Sequence, residues 1–196
     1  MSPAYPAPAV KYPTLAVVSQ NKHKVITVFG SSRTVEGDTD YQTAMRLGKL
    51  LGEAGFDVCN GGYSGSMEAI SRGVRDGGGK SIGVTVDVIA RSGNAWLDEE
   101  IRTENIFRRI EHMVTLADGF AVLPGGTGTL AELALTANLL FLGALTPRPL
   151  VLLGAAWESV MTYFFDNLHS AQAERALVRF APTPESVVST FREHLA

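Results

Sequence analysis

The sequence predicts an α/β fold in which helices cover both faces of one doubly wound, Rossmann-like parallel sheet. Short apolar runs alternate with longer amphipathic runs along most of the chain, a pattern typical of parallel sheets. Three of the apolar runs lead directly into glycine-rich turns. With 196 residues and 45% hydrophobic content, the chain can bury one sizeable core, so we expect a single domain.

The expected strands are apolar runs that are too short for core helices and are bounded by glycine or polar residues. They are rich in Val, Ile, Leu and Phe, as buried parallel strands are. In chain order they are Val25–Phe29, Phe56–Cys59, Ser81–Val86, Gly119–Leu123, Pro149–Gly154 and Leu177–Phe180.

The expected helices carry apolar residues at helical spacing. They run from Thr39 to Gly55, Met67 to Arg75, Asn105 to Ala117, Leu130 to Leu142, Trp157 to His169 and Pro184 to Leu195. Thr39 and Gln42 fit a capping box at the start of the first helix.

The third of these helices has one apolar stripe and one basic side. The stripe that we expect to be buried consists of Ile106, Ile110, Met113 and Val114. Arg108 lies off this stripe, and an ordinary surface ion pair with Glu104, four residues earlier, is its expected role.

Other segments have no strong core pattern. Residues 1–13 contain four prolines, so we expect a disordered or loosely attached tail ahead of a domain over residues 14–196. Thr14–Ser19 is apolar enough for an extra edge strand. The polar segment Asp87–Asp98 is expected to form a loop over the sheet edge, where such loops often cover a ligand.

Composition excludes several classes of partner. The formal net charge is -3 and no block of Lys and Arg occurs, which argues against nucleic acid or an anionic membrane as the main partner. Cys59 is the only cysteine, so an intramolecular disulfide is impossible. No apolar run has the length of a membrane span, and we expect a cytoplasmic protein.

The most informative stretch is Leu123–Glu132, in which three glycines and a threonine separate a strand from a helix. This arrangement turns backbone N–H groups and a helix N-terminus toward an anion, usually a phosphate. Glu132 is expected in the first turn of that helix, where it could simply favour the helix dipole. A carboxylate beside a bound phosphate is repelled, however, so we expect Glu132 to serve chemistry.

Two further turns are expected at the same edge of the sheet. Gly30-Ser31-Ser32 follows the first strand, and Gly61-Gly62 follows the second, shortly before Met67. Ligands of doubly wound sheets bind outside the carboxyl ends of the strands, where the strand order reverses. The agreement of three turns therefore predicts one phosphate-ligand site.

A dinucleotide cofactor is not expected at this site. Gly126–Ala131 formally satisfies G-x-G-x-x-A, but the next strand does not end in the acidic residue that would bind the ribose. The four histidines are scattered, and none has a partner at metal-ligand spacing. We therefore expect neither a cofactor nor a metal ion.

Residues Pro124–Glu132 match the signature P-G-G-x-G-T-x-x-E, and through it the chain resembles the LOG ("Lonely guy") family. Members of this family are cytokinin riboside 5′-monophosphate phosphoribohydrolases, often mislabelled as lysine decarboxylases. The likeness extends from about Val25 to Phe165. Arg109, Met113 and Asp118 fall at positions that match the family's upstream pattern, although Asp118 also fits a turn residue at a strand entry.

The resemblance implies hydrolysis of the N-glycosidic bond of a nucleoside 5′-monophosphate, either a cytokinin riboside monophosphate or AMP. Glu132 would stabilise positive charge on the ribose and orient water, and Arg109 would supply a fixed positive charge at the phosphate or ribose. The residues implied to bind the nucleotide are Gly125, Gly126, Thr127, Gly128, Thr129, Gly30, Ser31, Ser32, Gly61, Gly62 and Met67. Met67 could equally be a plain core residue. A homodimer is also implied, and the apolar helix from Leu130 would suit its interface.

The chain departs from the family pattern at three places. Ile110 replaces a lysine, Thr127 stands where plant-like members have tyrosine, and Gly65–Ala69 reads G-S-M-E-A where they have G-L-M-G. The last variant resembles a neighbouring branch that includes molybdenum-cofactor carrier proteins. A non-catalytic carrier of a phosphate-bearing ligand, such as molybdenum cofactor, is therefore the alternative to the hydrolase.

Overall fold

A computed structural model describes residues 23–170 and 172–195 of the chain. The predicted tail at residues 1–13 and the extra strand at residues 14–19 lie outside this part. The strands within it are β1 Val25–Phe29, β2 Asp57–Asn60, β3 Ser81–Val86, β4 Glu99–Thr103, β5 Gly119–Val122, β6 Leu150–Leu153 and β7 Val178–Ala181. They form one parallel sheet in the order β4-β3-β2-β1-β5-β6-β7.

Helices pack on both faces of this sheet. Their bounds are α1 Thr39–Glu53, α2 Ser66–Asp76, α3 Ile106–Thr115, α4 Thr127–Phe141, α5 Ala155–Asn167, α6 Gln172–Leu177 and α7 Pro184–Leu195. The predicted doubly wound, Rossmann-like α/β class is confirmed. Strands β1 and β3 and helix α7 have the predicted bounds.

The core consists of two layers because side chains alternate across each strand. On β1, Ile26 and Val28 belong to the layer that contains buried residues of α1, α2 and α7. Val25 and Phe29 belong to the other layer, with α3, α4 and α5. Phe29 stacks on Phe120 of β5 there, with 6.1 Å between ring centroids.

The sequence analysis missed two elements, β4 and α6. Strand β4 has the sequence EEIRT, is largely exposed and pairs only with β3, so it shows no apolar run. Helix α6 has six residues, none of them buried, and therefore no stripe. Strand β4 is held by pairing with β3, and α6 packs against α4 and β7; local sequence patterns do not record such contacts.

Three local predictions were wrong. Helix α4 begins at Thr127 rather than Leu130, so Glu132 lies beyond the first turn and has no dipole-capping role. The capping box predicted for Thr39 and Gln42 is not formed, because the N-cap of α1 is Asp38, whose side chain accepts from the Val35 N–H. Ile106, predicted on the buried face of α3, is 42% exposed because it is the first residue of the helix.

The strand order reverses between β1 and β5. The chain passes from β1 to β2 on one side and returns to β5 on the other. The turns that follow β1, β2 and β5 therefore converge at one edge, where doubly wound sheets bind ligands. None of the helices in the described residues has the length and apolar composition needed to cross a bilayer.

Helices α1 and α2 pack with their backbones in direct contact. A Cβ atom added to Gly73 would lie within 3.0 Å of the Met45 carbonyl oxygen, and one added to Gly48 would lie within 3.0 Å of the Ile70 carbonyl oxygen. Because backbone atoms cannot retreat as a flexible side chain can, only glycine fits at these two crossing points.

We expect the substitution Gly73→Ala to lower the free energy of unfolding by about 1–3 kcal/mol or more, because the added methyl group forces the two helices apart. Chemical denaturation of the purified variant measures this. Gly128→Ala is the matched control, since nothing lies within 4 Å of its added Cβ. Equal stability of the two variants would contradict the close helix contact.

Candidate active site

A cleft of about 300 Å³ lies at the carboxyl edge of the sheet, at the switch point between β1 and β5. All but two of the predicted site residues line it. Those lining it are Gly30, Ser31, Ser32, Gly61, Met67, Arg109, Gly126, Thr127, Gly128, Thr129 and Glu132. The structure thus brings together residues that are distant in sequence, as the three turns predict.

The N-terminus of α4 forms one end of the cleft. Gly126 precedes the helix, and no side chain caps it. The N–H groups of the first helical turn have no partner within the helix, and the helix dipole adds partial positive charge there. This end of the cleft is therefore suited to an anion such as a phosphate.

The floor of the cleft is a buried ion pair. Arg109 Nη1 on α3 donates to Glu132 Oε1 on α4 at 3.0 Å, and the two side chains are only 11% and 10% exposed. The same guanidinium donates through Nε to the Val84 carbonyl at 2.9 Å and through Nη2 to the Gly61 carbonyl at 3.2 Å. All three nitrogens of Arg109 thus have protein partners, and the sequence analysis did not foresee the pairing with Glu132.

Burial and the Arg109 guanidinium act in opposite directions on the pKa of the Glu132 carboxyl. Burial raises the pKa of the Glu132 carboxyl above its ordinary value, and the Arg109 guanidinium offsets part of that rise. Glu132 is thus a carboxyl group whose environment favours proton uptake while a fixed cation favours ionisation. Perturbed carboxyl groups in clefts are frequent at catalytic sites.

Gly61 allows Arg109 to lie against the backbone. A Cβ atom at this position would fall within 3.0 Å of both Arg109 Nη2 and Met67 Sδ. Met67 is buried and lines the cleft beside this contact, so it is both a core residue and part of the wall.

Gly62 and Gly125 are the two predicted site residues that do not line the cleft. Gly62 has a φ of 80° and donates its N–H to the Asn60 side chain at 2.8 Å, which shapes the turn after β2. A Cβ atom on Gly125 would lie within 3.0 Å of the Thr129 side chain, so this glycine lets the start of α4 pack on the preceding turn.

The turns after β1 and β2 are joined by another glycine. The Ser66 N–H donates to the Ser31 carbonyl at 2.8 Å. Gly65 has a φ of 73°, and a Cβ atom there would lie within 3.0 Å of the same carbonyl. The G-S-M-E-A segment therefore fixes the position of Ser31 in the cleft wall.

The cleft has a further wall that the sequence analysis missed. Tyr63, Ile89, Arg91 and Arg33 line it. Ile89 and Arg91 belong to the segment that was predicted to form a loop over a ligand. The predicted position of that loop was therefore the one indication in the sequence that these residues lie near the site. Their side chains gave none, because no motif contains them.

The departures from the LOG pattern lie mostly away from the cleft. Ile110 packs against the core layer beneath α3 and does not line the cleft. Ser66 is buried and Glu68 is half-buried, and neither lines the cleft. Of the departures, only Thr127 is part of the wall.

The remaining candidates have structural partners. Arg108 pairs with Glu104 at 3.8 Å, as predicted, and with Glu111 at 2.6 Å. Asp118 accepts from the Val25 N–H at 2.9 Å, which agrees with a strand-entry role. Burial raises the pKa of the Cys59 thiol to about 12, so the thiol remains protonated and unreactive. In residues 23–170 and 172–195, no group of three or more His, Cys, Asp or Glu residues could hold a metal ion.

The parallel sheet with helices on both faces defines a Rossmann-like α/β protein, and the uncapped helix N-terminus at its switch point makes the cleft suited to an anion. The chain belongs to the LOG family, because the family model described as "Possible lysine decarboxylase" matches residues 67–191. That segment includes the helix α4 N-terminus and both members of the buried ion pair.

Named relatives agree with this family. The cytokinin riboside 5′-monophosphate phosphoribohydrolase LOG of Oryza sativa subsp. japonica is 30% identical, over 90% of this chain and 76% of its own. LOG2 of Arabidopsis thaliana, with the same activity in its name, is 28% identical over 90% of this chain and 86% of its own.

A solved structure shares the fold. It is the molybdenum cofactor binding protein of the phototrophic bacterium Rippkaea orientalis, which is 24% identical with a TM-score of 0.73. The match covers 89% of this chain and 99% of that one. At this identity the likeness establishes a common fold.

We expect Arg109→Met to destabilise the protein more at pH 8 than at pH 5. Without the guanidinium, the buried Glu132 carboxylate is unpaired, and the pKa of its carboxyl rises further. A carboxyl with a higher pKa in the folded chain contributes stability below its unfolded pKa, near 4.5, and loses it as pH rises through the folded value.

Denaturation at both pH values measures the difference, which should be at least about 1.4 kcal/mol, the equivalent of one pKa unit. The double variant Arg109→Met/Glu132→Gln is the control, because it has no carboxyl to titrate. A loss of stability independent of pH in the single variant would argue against a buried ion pair.

Proposed function

We propose that this protein hydrolyses the N-glycosidic bond of a nucleoside 5′-monophosphate to a free base and ribose 5-phosphate. The two named relatives are phosphoribohydrolases of a cytokinin riboside 5′-monophosphate, and this chain spans most of both. The cleft has an anion-binding helix N-terminus at one end and a carboxylate on its floor. We infer that AMP or a cytokinin riboside monophosphate is the substrate.

In this proposal the 5′-phosphate binds at the N-terminus of α4, through N–H groups of Gly126–Thr129 and the Thr129 hydroxyl. The ribose then lies above Glu132. As the C1′–N bond breaks, its electron pair leaves with the base, which takes up a proton, and positive charge develops on the ribose. The Glu132 carboxylate stabilises that charge, accepts the proton of the water that attacks C1′ and then releases it to solvent, which balances the proton that the base takes up from solvent.

We propose for Arg109 a further role beside the one that the resemblance implies. Its three nitrogens hold Glu132 and two backbone carbonyls, so it acts chiefly by keeping Glu132 ionised and in place. The cation also lies at the cleft surface, where it contributes positive potential beside the ribose and phosphate.

The observation that carries the proposal is the buried pair of Arg109 and Glu132 within the cleft wall. A protein that only binds phosphate gains nothing from a carboxylate near the anion, because the two repel each other. A site that must stabilise a developing cation requires it.

The alternative is a carrier that binds a phosphate-bearing ligand, such as molybdenum cofactor, without turnover. The G-S-M-E-A segment favours it, and the solved structure of similar fold is named as a molybdenum cofactor binding protein. The other basis for this reading was Ile110, which packs into the core layer instead of lining the cleft. We therefore favour the enzyme.

Chromatography of products tests the two functions. Incubation with AMP and with N6-isopentenyl-AMP should release free base and ribose 5-phosphate, and Glu132→Gln should reduce the rate by at least about 100-fold, because it removes the charge that stabilises the transition state. Glu193→Gln on α7, away from the cleft, is the matched control. Intact nucleotides after prolonged incubation with the wild-type protein would favour the carrier.

The other functional expectations stay predictions. These are a cytoplasmic location, one domain over residues 14–196, no cofactor and no nucleic-acid partner. We also propose a homodimer, as the family resemblance implies. Helix α4 supports this, since Leu130 and Leu135 are 45% and 41% exposed and its only charged residue, Glu132, is buried.

The substitution Leu135→Glu should convert the dimer to a monomer, because it places a charge in the apolar face that we expect to be buried. Light scattering coupled to size exclusion measures the mass in solution. Ser189→Glu, at an exposed position on α7, should leave the dimer intact. A wild-type monomer at all protein concentrations would refute the proposed dimer.

A further inference from the structure

The wall of the cleft that follows β2 and β3 contains a fixed aromatic ring. Tyr63 is only 3% exposed. Its hydroxyl accepts from the Val86 N–H at 2.9 Å and donates to the Val86 carbonyl at 3.2 Å. Two hydrogen bonds to one strand residue prevent the ring from swinging, so it forms a rigid platform.

Arg91 lies on this platform. Its Cζ atom is 5.0 Å from the centroid of the Tyr63 ring, and the side chain lines the cleft. Over residues 23–170 and 172–195, no carboxylate forms an ion pair with it. A planar cation that covers an aromatic ring keeps a second face on which another flat group can stack.

The segment that carries Arg91 is tied down on both sides. Before it, the Asp87 N–H donates to the Thr103 carbonyl at 2.9 Å. After it, the Asn94 side chain donates to the carbonyls of Gly62 at 3.2 Å and Tyr63 at 3.1 Å. These bonds limit the movement of the backbone that carries the exposed Arg91 side chain, which reduces the entropy lost when a ligand binds.

The strand order determines which part of a nucleotide would reach Arg91. The ends of β5, β1, β2 and β3 follow one another along the cleft. Adjacent strands are about 4.8 Å apart, so β2, which precedes Tyr63, ends about 10 Å from the phosphate end at β5. With the phosphate on α4 and the ribose above Glu132, the base extends toward β2 and β3.

We propose that Arg91, stacked on Tyr63, is the platform for the nucleobase and determines base preference. The base stacks on the free face of the guanidinium, as bases do on arginine planes elsewhere. Purines offer a larger flat surface than pyrimidines and are bound more tightly. The inference rests on the proposed function only in placing the phosphate at α4; it requires no turnover.

Equilibrium binding in the Glu132→Gln background tests the platform without hydrolysis of the ligand. Calorimetry with AMP, CMP and ribose 5-phosphate compares a protein that has Arg91 with the variants Arg91→Ala and Arg91→Lys. Both variants should bind AMP about tenfold or more weakly, which is the size of one base-stacking contact, and the preference for AMP over CMP should shrink. Affinity for ribose 5-phosphate, which has no base, should change less than about twofold in Arg91→Lys, which keeps the charge.

Arg179→Ala, at an exposed position on β7 at the opposite edge of the sheet, is the charge-matched control for Arg91→Ala. The proposal would be overturned if Arg91→Lys lowered the affinities for AMP and for ribose 5-phosphate by the same factor. It would also be overturned if the affinity for AMP did not change, or if the protein that retains Arg91 did not bind AMP. If wild-type protein hydrolyses no nucleotide but Arg91 selectively affects AMP binding, the proposed reaction fails and the base platform stands. If the wild-type protein hydrolyses AMP but replacing Arg91 does not change AMP binding, the proposed reaction stands and the base platform fails.

Discussion

The ion pair between Arg109 and Glu132 is the interaction on which the arrangement of the cleft depends. A buried ion pair is tolerated only when further hydrogen bonds satisfy the charges. Here they come from the carbonyls of Gly61, which follows β2, and of Val84, which lies within β3. The pair therefore links helices α3 and α4 to strand β3 and to the turn after β2. Moving any of these elements would leave a charge buried without its partners.

Much of the fold could be predicted because its signals are local. Parallel strands buried on both faces are apolar throughout, and β1 and β3 were therefore found with their observed bounds. The glycine turns were found because phosphate cradles need glycine, and they proved to lie along one cleft. Edge strand β4 was missed because it is largely exposed, with only Thr103 buried and Ile101 partly buried, and therefore has no apolar run.

The sequence predicted which residues line the cleft better than it predicted which of them contact one another. Only the family resemblance distinguished Arg109, predicted to be functional, from Arg108, predicted to be a surface residue, since neither lies on the apolar stripe of α3. Its partner, Glu132, lies 23 positions later, and nothing in local sequence states that they meet. Tyr63 and Arg91 escaped notice for the same reason: their contact joins two loops whose approach depends on the pairing of β2 with β3.

Strand β4 shows how the sheet ends on one side. Its outer edge has no neighbouring strand among the described residues, yet its sequence carries Glu99, Glu100 and Arg102. An open edge invites a strand from another molecule, and charged side chains oppose that addition because pairing would bring them together or remove them from water. The charged composition that kept β4 out of the sequence prediction therefore opposes growth of the sheet by edge-to-edge pairing. The exposed apolar face of α4 is the other surface, and we propose it for the dimer.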